Sequence, residues 1–168
     1  MPPPDSSFAP LDIGAVEYFQ NDDGNIIATY RNTLIQVRWG ALTDVTLAAI
    51  ESASKSLLAK IPSGPIGGLL LVEQNATLSN GAMRAKQMRL MQRVLQNERA
   101  HCVMVSLVGG ASGTLMRTFG RLLEAAHPRM AARATVAEAT TWIEAHAPPR
   151  RAGEMNQLLT YLRSRKRS

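Results

Sequence analysis

Few of the 168 residues combine type and spacing in a way that carries chemistry, and the densest set is the stretch Ser106 to Phe119, SLVGGASGTLMRTF. An apolar run, then Gly109, Gly110, Ser112, Gly113 and Thr114, then a helical pattern is the arrangement in which backbone N–H groups cradle an anion. A P-loop also needs a lysine before its Ser/Thr, because that lysine reaches the terminal phosphates. Here the corresponding residues are Ser112-Gly113-Thr114, with no lysine near them. A dinucleotide loop needs glycines at offsets zero, two and five, whereas Gly109, Gly110 and Gly113 stand at zero, one and four. The stretch reads as a strand-to-helix turn with Ser112 as the cap, or as an unspecialised anion or ligand loop.

Other chemistry is sparse. His101, His127 and His146 are far apart, without ligand partners at helical spacing, and the lone Cys102 falls inside an apolar strand, so no metal site and no cofactor are expected. Glu73 follows the apolar run Ile66 to Val72, at a strand's carboxyl end where α/β proteins bind ligands, but no second catalytic group accompanies it. Glu98, Glu124, Glu138, Glu144 and Glu154 occupy helical positions and read as surface charges. A non-enzymatic chain is the expectation.

Charge carries more information. Residues 1–78 hold four Lys/Arg against eight Asp/Glu, residues 79–133 nine against two, and residues 134–168 six against three, within an overall +6. The concentration is Arg84, Lys86, Arg89 and Arg93, with Arg99 beyond, on one helical pattern. Such a face attracts an acidic protein, anionic membrane or nucleic acid. Nucleic-acid readers usually add stacking aromatics, and aromatics are only 5% of this chain.

These residues need a frame. Residues 1–14, with four prolines, read as a disordered leader. Strands are expected at 15–20, 25–31 and 33–39, the first two joined by a tight turn at Asp23-Gly24. In the third strand Leu34, Gln36 and Arg38 alternate with Ile35, Val37 and Trp39, the period of a sheet with one buried face. Thr43 caps a helix to Lys60, and IGGLLLV (66–72) reads as a central strand covered on both sides. Ser79 caps a helix to about Asn97, with Met83, Gln87, Leu90, Met91, Val94 and Leu95 inward. A buried strand from His101 to Val108, a helix from Ser112 to His127, a short strand at 129–134 and a helix opened by the capping box Thr135–Glu138 complete the order. The class is α/β, a mixed sheet packed with about four helices. Residues 148–168 form a basic tail in which Met155, Leu158, Leu159 and Leu162 repeat at amphipathic spacing, either a helix that docks on a partner or a frayed end.

The core must be built from aliphatic residues and methionine, since apolar residues reach 45% with few aromatics. The start lacks the pattern of a secretion signal, no apolar run is long enough to span a bilayer and one cysteine makes no internal disulfide, so a cytoplasmic setting is expected.

The early hairpin strands, the helix after Trp39-Gly40-Ala41-Leu42-Thr43 and the alternating segments ending in TVAEATTWI resemble the STAS family, the anti-sigma-factor-antagonist-like domains, over residues 15–147. The resemblance implies a small α/β module without enzymatic activity that regulates a protein partner. It also implies a phosphorylated serine at the start of the second helix. The matching segment is Asn75-Ala76-Thr77-Leu78-Ser79-Asn80-Gly81, with Ser79 in that place and Thr77 second, although the family's Asp-Ser pair is absent. Partner contacts are then expected at Arg84, Lys86, Arg89 and Arg93. A small-molecule or lipid binder with an apolar pocket near the glycine-rich loop is the alternative, and self-association is compatible with either.

Overall fold

The structure is a computed structural model, and it describes residues 10–148 and 151–165. A single 3-10 turn at Ile13–Ala15 leads into strands β1 (Val16–Asn21), β2 (Asn25–Tyr30) and β3 (Thr33–Arg38). Helix α1 (Asp44–Lys60), β4 (Ile66–Val72), α2 (Gly81–Leu95), β5 (Ala100–Ser106), α3 (Gly110–Ala126), β6 (Met130–Arg133), α4 (Val136–His146) and α5 (Glu154–Ser164) follow. One six-stranded sheet has the order β1-β2-β3-β4-β5-β6. Its first three strands are an antiparallel meander, and β3 to β6 are parallel. The expected α/β class and mixed sheet are present, and the described residues hold five helices, the four expected and the amphipathic C-terminal one that the tail's spacing allowed.

Local chemistry explains the joints. The Asp22 carboxylate accepts the N–H groups of Gly24 and Asn25, both at 2.8 Å, and so shapes the first hairpin. Thr43 Oγ1 accepts from the Thr46 N–H at 3.1 Å to start α1. The capping box of α4 is complete: Glu138 N–H donates to Thr135 Oγ1, and Thr135 N–H donates back to the Glu138 carboxylate.

Helices cover both sheet faces. Odd-numbered residues of the parallel strands, among them Ile35, Val37, Leu69, Leu71, Val103 and Val105, pack with Ile143 of α4 and Met155, Leu158, Leu159 and Leu162 of α5. Even-numbered residues, Leu70, Val72, Cys102 and Met104, pack under Leu95 of α2 and Met116 and Leu123 of α3. Ile27 meets Ala49, Ile50 and Ala53 of α1. The one-sided sheet inferred from the alternation in β3 is therefore corrected: both faces of that strand are inside.

The tail also differs from expectation. Met155, Leu158, Leu159 and Leu162 have no exposed surface, and they lie in the main core rather than awaiting a partner or fraying. Polar contacts fix this helix at both ends. Glu144 accepts the N–H groups of Gly153 (3.0 Å) and Met155 (2.8 Å), and Arg163 grips both carboxylate oxygens of Glu73, with Nη2 at 3.0 Å from Oε2. Buried Glu154 accepts from the Tyr30 hydroxyl at 2.7 Å and pairs with Arg31 at 3.2 Å. Burial alone would raise the Glu154 carboxyl, but Tyr30, Arg31 and Arg151 outweigh it and hold it below its ordinary 4.5. At the other end, Leu11 packs on the core, so order begins before the expected boundary at residue 14. The rest of the expected leader, residues 1–9, and the terminal residues 166–168 lie outside the described residues.

Candidate functional site

The parallel strands place Arg38, Val72 and Ser106 side by side at their carboxyl ends, with Asn25 of β2 opposite Arg38. One step inward the row is Ile27, Gln36, Leu70 and Met104. Both rows belong to the face covered by α1, α2 and α3. Arg38 is 2% exposed, and its guanidinium has no hydrogen-bond or ion-pair partner among the described residues. Burial lowers its pKa to about 10 from 12.5. Ser106 Oγ, Gln36 Nε2 and Asn25 Oδ1 are likewise buried and unpartnered. Four orphan polar atoms in two adjacent rows are a concentration that an ordinary sheet face avoids.

Arg38 borders a cavity of ≈ 340 Å³ between α2, α3 and the sheet. Its walls are apolar and rich in methionine (Met88, Met91, Met104, Met116), with Phe119 as the one aromatic. Ser79 and Arg84, at the start of α2, close the polar end beside Arg38. A second cavity of ≈ 240 Å³ lies between α1, α2 and β4, and shares Leu70, Gln87 and Met91 with the first. Helix α2 thus sits over two hollows, and only Leu90 and Leu95 of its fifteen residues are buried.

The β4–α2 loop is tied to the β3–α1 loop. The Thr77 N–H donates to the Trp39 carbonyl at 3.0 Å, and the Leu42 N–H donates to Ser79 Oγ at 2.9 Å. Ser79 is consequently buried and is not the cap; Asn80 is, its Oδ1 accepting from the Met83 N–H at 2.9 Å. Thr77 is exposed. Arg84 stands apart from the other cations and donates to the Ser79 carbonyl at 2.7 Å. Lys86, Arg89 and Arg93 project together toward α1, where Lys86 pairs with Asp44 at 2.7 Å. Arg89 and Arg93 have no partner among the described residues. Arg99 leaves the stripe, turning back to the carbonyls of Ile61 and Gly64.

No family model matches this chain, and no curated protein does. A solved structure does: an uncharacterized protein of the DUF3478 family with a SpoIIAA-like fold, from Shewanella loihica PV-4, aligns over 71% of this chain and 92% of its own. The TM-score is 0.52 and the identity 15%. The chain has a SpoIIAA-like fold. This is the STAS-like architecture that the element order resembles, and at such identity the likeness concerns the fold alone.

Within the SpoIIAA-like fold the glycine-rich stretch is a packing device. Helix α3 begins at Gly110 with Gly109 as its cap, so Ser112 lies inside the first turn and is not the cap. Gly110 has φ +64°, and a Cβ on Gly113 would lie 1.9 Å from the Val108 carbonyl oxygen, so both positions need glycine. Thr114 Oγ1 donates to the Gly110 carbonyl and accepts from Arg117. These contacts tie the first turns of α3 together, and it is the body of α3, not this loop, that walls the cavity.

The remaining candidates are occupied by the fold. Glu73 is held by Arg163, a clamp between β4 and α5. Cys102 is buried, and its thiol is pushed up to about 12 by burial, far from a reactive thiolate. No group of three metal-ligating side chains exists among the described residues. No helix there is long and apolar enough to cross a membrane. Sequence reasoning missed Gln36 and Arg38 as site residues because their alternation suggested a wetted face. The available signal was the α/β order itself, which puts helices over both faces of a central strand.

Proposed function

We propose that this chain is a non-enzymatic regulatory module that binds a protein partner through α2 and the loops at its two ends. The observation that carries the reading is the seating of α2, a lightly anchored helix that presents Arg89 and Arg93 without an ion pair among the described residues, although Asp44 and Glu51 border the same groove. Few buried contacts make a segment free to shift or open locally. Unpaired cations favour a partner with an acidic surface and speed its encounter. The commitment of Glu73 to Arg163 and the depth of Cys102 support the absence of catalysis.

The phosphorylation switch implied by the STAS resemblance falls on the same loop. A phosphoryl group on Ser79 would displace the Leu42 N–H and loosen the tie between the two loops, beside Arg84. Thr77 is exposed and modifiable without that rearrangement. Intact-mass analysis of protein from its native cell reads either event directly.

The partner surface is tested by affinity capture with the wild-type chain and the double variant Arg89→Glu/Arg93→Glu. The reading expects an acidic protein retained by the wild type, released by salt and lost from the variant. Identical partner lists would overturn it. Nucleic acid or anionic vesicles retained by the wild type alone, with no protein, would replace the protein partner by that class.

A further inference from the structure

We propose that the cavity between α2, α3 and the sheet binds a monoanionic amphiphile, a carboxylate carrying a flexible alkyl body, with its charge on Arg38. The partner reading concerns the outer surface of α2; this site lies beneath the helix and stands without it.

The first argument is the uncompensated charge. A buried arginine normally carries a carboxylate or several carbonyl acceptors, because removing a guanidinium from water without replacement is strongly unfavourable. Arg38 has neither, at 2% exposure. An incoming carboxylate supplies the missing acceptor, and a guanidinium fork matches it bidentately. Ser106 is next but one along the same row and Gln36 one row inward on Arg38's own strand, further unpaired polar groups on the same sheet face, although Gln36 borders the neighbouring cavity and Arg38, with Ser79 and Arg84, makes the polar end of this one.

The second argument is the shape of the rest. From that end the cavity runs between Leu78, Met88, Met104, Met116 and Phe119, which offer no polar partner. Methionine walls adapt to a flexible chain better than to one rigid outline. Leu115 also borders the cavity and is 54% exposed, which places a route to solvent between α2 and α3. One buried cation sets the ligand charge near minus one. Arg84 is exposed and already engaged with the Ser79 carbonyl, so a dianionic phosphate finds no second buried counter-charge.

The third argument is position. The carboxyl ends of parallel strands are where open α/β sheets take ligands, and Arg38 is the last residue of β3.

The test is titration calorimetry of the full chain, stripped of copurified lipid, with decanoate as the probe. Decanol keeps the chain without the charge, and acetate keeps the charge without the chain. Saturable binding of decanoate is expected, with acetate weaker by more than about 100-fold, because it forgoes the burial of the alkyl chain, and decanol weaker by roughly 10- to 100-fold, the range for losing a charge-assisted hydrogen-bonded contact. Arg38→Met should lose decanoate by a similar factor while leaving decanol unchanged. Met88→Trp, on the partly exposed side of α2, keeps Arg38 but fills the hollow; it should weaken decanoate more than hexanoate. Equal binding of decanoate and decanol, equal decanoate binding by wild type and Arg38→Met, or no decanoate binding by the wild type would each overturn the proposal. None of these measurements involves a protein partner, so failure here leaves the surface reading intact, and the reverse also holds.

Discussion

Replacing Arg38 by methionine should stabilise the unliganded protein, the opposite of what most core substitutions do. Burial lowers the Arg38 pKa from 12.5 to about 10, and at ~1.4 kcal/mol per unit this is a penalty of roughly 3 kcal/mol for keeping the charge inside at neutral pH. The sign follows from proton linkage. A cation with a lowered folded-state pKa destabilises wherever it is charged in both states, so the penalty is complete at pH 7 and is relieved only as pH rises through about 10. Methionine keeps the aliphatic stem but leaves the guanidinium volume empty, which returns about 1 kcal/mol. The net expectation is a gain of roughly 1–2 kcal/mol, or about 2–8 °C in Tm for a chain of this size. Urea titration at pH 7 should show a higher midpoint with an unchanged m-value. A midpoint equal to or below that of the wild type, with m unchanged, would refute the reasoning, because Arg38 would then have compensation that its geometry does not reveal.

Four further substitutions probe the frame. Gly113→Ala forces a Cβ against the Val108 carbonyl and should destabilise by about 1–3 kcal/mol, whereas Gly109→Ala meets open space and should stay within about 0.5 kcal/mol, as read by chemical denaturation. Leu159→Ala should cost about 2–5 kcal/mol and lower one cooperative transition; a separate early loss of helix signal would instead mean that α5 is an appendage. Glu154 has its carboxyl held below 4.5, so its ion pairs stabilise fully above that pH and fade as pH falls through the folded-state value. Glu154→Gln should therefore flatten the acid limb of the pH dependence of the urea midpoint, below 4.5; an unchanged slope would remove the network from the acid response.

Much of this architecture was legible in the chain because its signals are local. The hairpin turn held by Asp22, Thr43, the Thr135–Glu138 box and the apolar run 66–72 each specify an element through neighbouring residues alone. The caps at Ser79 and Ser112 were misplaced because several adjacent residues can cap a helix, and tertiary contacts choose. Ser79 was taken by the Leu42 N–H thirty-seven residues away, which passed the capping to Asn80. The tail was open to two readings because amphipathic spacing says that a face is covered without saying by what. The site was the least legible part. Arg38, Gln36 and Ser106 are ordinary residues in their strands, and they become unusual only when sheet register aligns them and α2 and α3 close above them.

Amide hydrogen exchange, resolved by peptide, tests most directly whether α2 is the working element. Helix α2 should exchange through local opening well before β4, β5 and α5, and decanoate should slow it selectively. Protection of Met83 to Leu95 equal to that of the central strands would contradict the account, because a firmly seated α2 could neither respond to a partner nor admit a ligand beneath it.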